Sequence, residues 1–549
     1  MNRREFFGLP ANEQGADVAV KIAAGGLQPY TGPWTEKEAR HLLKRTLFGA
    51  TGADVKYFSS LTMDACVDEL IHSLEADPPP PVNSYSPGTP DANIPAGETW
   101  VNDTAPVSGT LNSRRRDSLQ AWWWGRLIHQ SPTLREKMVL FWHNHLTVEQ
   151  PGINARYLYS YNVLLRRHAL GNFRTLLREM SLNPAMLVYL NGDKNTAAAP
   201  NENYARELQE LYAIGKGKDA HFTESDVQQA ARVLTGYQID SAKAAYVFNP
   251  ARHDSNPKSF SAFYNSKVIA GRTGTDGELE LDELIGMLFE QPELAKFICR
   301  KIYRFFVYYT IDEQVENQVI VPLAAIFRAN NYEIKPVLSA LFKSEHFYHP
   351  LNIGCMIKSP IDYVCGLVRE FNVQFPDEKL YYADAYSLYR YIADHAYKMG
   401  QEIGNPPDVS GWPAYYQEPQ YHQLWINASS LPLRSKYSEY ITTTGFSKNG
   451  KKVIVDVLGY CASLQNPGDP NQLLDQLINH HLTITISSDS KAFIKKEMLL
   501  SGQESDHYWT SAWEGYMANP SSTTSRNIVL TRLRALLIYL MNLAEYQLS

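Results

Sequence analysis

Apolar residues recur at steps of three and four through most of this chain, and this period constrains the fold more than any single residue does. The stretch "TEKEARHLLKRTLFG" shows the pattern in full. Thr35 and Glu38 are spaced as a capping box, Ala39, Leu42, Leu43, Thr46 and Leu47 mark one side of a helix, and Gly49 stands where a helix stops. "LTMDACVDELIHSL" repeats the pattern, and Thr223 with Asp226 makes a second capping box. Similar periods predict helices over 155–170, 172–180, 184–190, 201–214, 223–235, 278–290, 292–309, 314–329, 335–344, 358–373, 380–398, 470–480, 490–500 and 523–543. In "SLQAWWWGRLIHQSPTLREKMVLFWHNHLTV" the dipeptide Ser131-Pro132 separates two helices, with Ser131 as the cap of the second and Pro132 in its first turn. Strand-like alternation is confined to short windows such as "HLTITIS" at 481–487.

Two stretches lack the period. Residues 77–118 carry "DPPPPVNSYSPGTPDANIPAGETW" and read as a long loop or arm. Residues 243–277 read as irregular or weakly extended. Without a clear linker or an internal repeat, the expected architecture is mainly α: a single large multi-helix domain over 33–549, with long irregular loops and little β.

Of the 549 residues, 44% are hydrophobic and 12% aromatic, which is enough to bury a large core. A net charge of −6 gives no global attraction to nucleic acid or anionic lipid, and only "RRR" at 114–116 speaks for nucleic acid. The five cysteines form no C-x-x-C and read as buried thiols. No run of 18 apolar residues predicts a transmembrane segment. Residues 1–32 form an N-terminal extension. Arg3-Arg4 ahead of Phe6-Phe7 resembles the head of a twin-arginine export signal, but Asn12, Glu13, Gln14 and Asp17 interrupt the apolar stretch such a signal needs. A cytoplasmic location is favoured over a periplasmic or envelope-associated one.

Four segments carry chemistry. In "FWHNHLTVE", His143 and His145 lie about 200° apart on a regular helix, so they can share an ion only if the helix ends near Asn144. The alternative is a buried histidine bonded to a carbonyl. In "NENYARELQELYAIGKG", Glu202, Arg206 and Glu210 form one charged line and Glu207 lies about 100° to the side. That is either a solvated salt-bridged face or an inward carboxylate ladder able to bind a cation. A Glu-x-x-His pair is missing, because Leu211, Tyr212 and Ala213 follow Glu210. In "NPARHDSNPKSF", His253, Asp254 and Lys258 share a polar loop that suits a site or an ordinary surface equally. In "MGQEIGNPPDVSGWPAYY", prolines and Trp412 form either a stiff platform for a sugar or peptide or a plug for a helix bundle.

Together the stretches "ARHLLKRTLFGA", "FWHNHLTV", "NENYARELQELYAIG", "FTESDVQQAARVLTGY", "RHDSNPKSF", "IKSPIDYVCGLVRE" and "GQEIGNPPDVSGWP" resemble the bacterial DUF1800 family over nearly the whole chain. The resemblance implies no established activity and no catalytic residue. It implies a neighbour of another family, DUF1501, as partner, and export in many members. The chain departs from the family pattern at Tyr212, where histidine or phenylalanine is frequent.

These segments give one spatial expectation, that the imidazoles, the carboxylates and the loop pair share a pocket. The chemistry expected of such a pocket is metal-assisted hydrolysis of an anionic or sugar-containing substrate. Glu207 or Asp254 would act as general base or metal ligand, Arg206 as anion clamp, His145 and His253 as ligands of a divalent metal or as acid, and His143 and Glu202 as further ligands. Trp412 and Lys258 would bind substrate. The rival is a non-enzymatic helical scaffold or binding subunit, in which the same groups form a hydrogen-bond network.

Overall fold

The structure, a computed structural model, describes residues 26–549 apart from Leu74 and Pro87. The twin-arginine-like start lies outside the described residues. Helix accounts for 56% of the fold and strand for 5%, so the chain is mainly α.

Helix α1 (Glu36–Thr46) forms where the period places it, with both hydrogen bonds of the Thr35–Glu38 capping box present. From Glu38 onward every residue of α1 is buried, Lys44 and Arg45 included, so this is a core helix despite its charges. The Thr223–Asp226 box also forms, and it starts the helix Glu224–Val233.

The proline-rich stretch departs from its expected length. Helix α2 (Gly109–Ile128) begins inside it, with Ser108 accepting from Leu111 N at 3.2 Å. Polar residues crowd its first three turns and hide the apolar period. The arm before it is strapped down rather than free. Arg115 holds Asp91 at 2.8 Å and Asp103 at 2.6 Å, and Trp122 Nε1 donates to Pro79 O at 2.7 Å. The middle arginine of "RRR" is therefore an internal strut and is 2% exposed.

Helix α3 (Arg135–His145) starts later than Ser131-Pro132 suggests and has no side-chain cap. Leu134 N bonds instead to Leu70 O at 2.9 Å, a tertiary contact that replaces the local cap. The alternating window 481–487 forms no strand. His481 ends the helix Pro470–His481, and Leu482 and Ile486 drop into the core without a partner strand. The helices Ser430–Thr443 and His507–Ala518 were not read from the sequence. The strands form three antiparallel hairpins: β1 (Tyr237–Asp240) with β2 (Ala245–Phe248), β3 (Lys258–Ser259) with β4 (Val268–Ile269), and β5 (Phe446–Lys448) with β6 (Lys451–Val453).

A continuous cluster of buried apolar side chains runs from Ala39 to Leu548. Buried tryptophans stitch its layers by donating to carbonyls, as Trp142 does to Ala169 O at 3.0 Å. Among the described residues no helix is long and apolar enough to cross a membrane.

Candidate functional site

The tract His143-Asn144-His145 closes α3, where all residues from Glu136 onward are buried. Each of its three side chains meets a backbone group far away in sequence. His143 Nε2 accepts from Gly404 N at 3.2 Å, so the ring proton sits on Nδ1. Nδ1 then donates to Tyr161 Oη at 2.9 Å, and that hydroxyl donates to Leu146 O at 2.8 Å. Asn144 Oδ1 accepts from Trp412 N at 2.9 Å. Gly411 makes this approach feasible: its φ is +93°, and a Cβ there would stand 2.3 Å from Asn144 Oδ1. His145 points the other way and donates from Nε2 to Tyr212 O at 3.0 Å. Burial pushes both imidazoles down to about 3, so both are neutral at physiological pH.

Tyr212 lies in a π-helical turn, Leu208–Ala213, that continues the helix Glu202–Glu207. In this segment Arg206 faces three carboxylates. It pairs with Glu224 at 2.6 Å, Glu202 at 3.2 Å and Glu210 at 3.4 Å. The hydrogen bonds to Glu224 hold its guanidinium above the usual range. An anion clamp here would have to displace an existing partner. Glu207 differs from its neighbours: its Oε2 is buried with no hydrogen-bond partner. Burial raises its carboxyl above the usual range, Lys216 opposes that, and Glu210 and Asp408 add to it.

The loop pair is an internal joint. Asp254 is gripped by Arg232 through two bonds, at 2.7 and 3.2 Å, and by Asn256 N at 2.8 Å. Burial pushes the Asp254 carboxyl up, but Arg232 and Asn256 outweigh it and hold it at about 2. His253 donates from Nδ1 to Thr235 O at 2.9 Å, and its Nε2 stands 3.2 Å from Glu280 Oε1 in a geometry that makes no hydrogen bond. Lys258 is fully buried in an ion pair with Glu280 and also donates to Asp254 O.

The model of the family described as "Protein of unknown function (DUF1800)" matches residues 41–548. The chain belongs to the DUF1800 family. No curated protein and no solved structure matches it.

In this DUF1800 chain the expected imidazoles, Arg206, Asp254 and Lys258 are each engaged with partners of their own. His143 serves the loop at Gly404, His145 serves the π-turn, His253 serves Thr235 O and Lys258 serves Glu280. Among the described residues, no group of three or more His, Cys, Asp or Glu side chains is placed to hold a metal ion. Both nitrogens of His143 are occupied, and His145 Nδ1 is buried without a partner in a ring flanked by Phe141, Phe173 and Phe297. Trp412 is 1% exposed and offers no face to a ligand, so the plug reading of its loop fits and the platform does not.

What does gather around Glu207 is a set that sequence reasoning missed. Tyr189 donates to Glu149 Oε1 at 3.2 Å, and its hydroxyl feels the charges of Glu149, Asp408 and Glu207. Glu207 and Asp408 lie within two of the family stretches, Glu149 directly follows a third, and Tyr189 ends the helix Pro184–Tyr189. Their proximity depends on the brace between α3 and the 400–413 loop, which has no local signal.

Proposed function

We propose that this DUF1800 chain works as a binding subunit. Its His-Asn-His tract acts as a brace, and the acidic face carrying Glu149, Tyr189, Glu207 and Asp408 is what it presents to a partner. The observation that carries this reading is that His143 and Asn144 both accept from backbone N–H groups of one loop, at Gly404 and Trp412. Groups used in this way hold a surface in shape and do not turn over. A partner for such a face carries basic side chains. The DUF1501-type neighbour implied by the resemblance is the first to test. Binding of that protein to the purified chain should be lost in the triple variant Glu149→Gln, Glu207→Gln, Asp408→Asn, with melting unchanged. Binding that survives the triple variant would reject the reading.

Metal-assisted hydrolysis keeps one observation in its favour, the unpartnered and elevated Glu207 carboxyl. It requires near-stoichiometric divalent metal in untagged protein, and an activity that His145→Ala abolishes without lowering the melting temperature.

A further inference from the structure

Two of the family stretches outside the brace are "ARHLLKRTLFGA" and "IKSPIDYVCGLVRE". They meet where α1 approaches helix α4 (Pro360–Glu370), and between them lies a cavity of about 30 Å³. Lys44, Arg45, Lys137 and His422 stand on its wall, each less than a tenth exposed. Asp362 is the one acidic side chain on that wall, which Ser549 also lines, and Asp362 is already taken by Lys137 and by Ser359 Oγ at 2.9 Å. Lys44 donates to His481 O at 2.6 Å and faces Glu370 at 3.7 Å.

Arg45 is the exception. Its Nη2 reaches only Asn352 O at 3.1 Å and Cys355 Sγ at 3.2 Å, its Nε donates to nothing, and among the described residues no carboxylate pairs with it. A buried guanidinium without a counter-charge is costly. His422 adds a second open donor. Its Nδ1 accepts from Ile357 N at 3.1 Å, which puts the ring proton on Nε2, and Nε2 is buried without a partner. Two unused N–H donors, a guanidinium paired with no carboxylate and room for a water-sized particle describe a receptor for an acceptor that carries negative charge.

The geometry points to a small-anion site, of halide size, seated between Arg45 Nε and His422 Nε2. The site is separate from the acidic face and does not depend on it. The bound anion neutralises Arg45 and ties α1 to the 421–425 turn. Crystals grown in sodium bromide test this directly. An anomalous peak is expected at hydrogen-bond distance from both donors. In solution, bromide or chloride should raise the melting temperature by about 1 °C or more over sodium gluconate at equal ionic strength. Arg45→Met should remove that halide-specific gain. If that variant fails to fold, the wild-type bromide map still decides. A cavity holding water, or the terminal carboxylate of Ser549 seated between the donors, would overturn the assignment. So would equal melting in gluconate and bromide.

Discussion

The brace and the cavity handle buried polarity in opposite ways. In the brace, neutral side chains meet backbone groups, and the two ring nitrogens of His143, Asn144 Oδ1 and Tyr161 Oη are all matched donor to acceptor without any net charge. Next to the cavity, Lys44 leads into a buried cluster with Lys358, Glu370 and His481, with Tyr546 donating to Glu370 Oε2 at 3.2 Å. There burial pushes Glu370 up, but Lys358, Lys44 and His481 outweigh it and hold its carboxyl well below the usual range. Burial pulls Lys44 down to about 7. The tract that looked most like chemistry is thus the quieter of the two, and the helix that looked like ordinary amphipathic packing carries the unbalanced charge.

The largest expected effect lies on the charged side. Glu370→Ala strands Lys44 and Lys358 and should cost about 3–5 kcal/mol in chemical denaturation. On the neutral side, His143→Phe keeps the ring volume but leaves Gly404 N–H without an acceptor. The expected loss is about 1–3 kcal/mol, with little change elsewhere. A loss below a few tenths would remove the brace from the comparison. Acid sharpens the contrast further. His143, His145 and His422 titrate near 3 when folded and near 6.5 when unfolded, so the unfolded chain binds more protons between those values. The stability tied to each is complete above pH 6.5 and falls as pH drops toward 3, by up to about 1.4 kcal/mol per pH unit. In His143→Phe the slope should shrink by one such contribution, as read from denaturation midpoints across that range. The smallest effect belongs to Glu207→Gln. Removing a desolvated, unpartnered charge should raise stability by a few tenths of a kcal/mol at neutral pH, where a structural carboxylate would show a loss.

Helices and caps were legible in the sequence because their determinants are local. Thr35, Glu38 and the apolar steps after them sit within one or two turns of each other. α2 and α3 were misplaced at their starts for the complementary reason, since a polar first half and a tertiary hydrogen bond to Leu70 replaced the local signal. The site was much less legible. Gly404 and Trp412 are 261 and 268 residues away from the side chains that hold them, and no periodicity reports such a pairing. One clue was present: "MVLFWHNHLTV" is apolar on both sides of its polar triplet, as a buried helix end is, and buried polar groups are satisfied by backbone more often than by ions. Glu280 could not have been linked to His253 and Lys258 without knowing that the β3–β4 hairpin folds back onto the helix Leu279–Glu290.

The most direct test of the brace is nitrogen NMR on protein labelled in its histidine rings, with and without added zinc or manganese. A brace requires neutral rings, the Nδ1–H form for His143 and the Nε2–H form for His145, with no titration between pH 5 and 8 and no response to metal. A ring that titrates near 6.5, or whose signal shifts or broadens with one equivalent of metal, would contradict it.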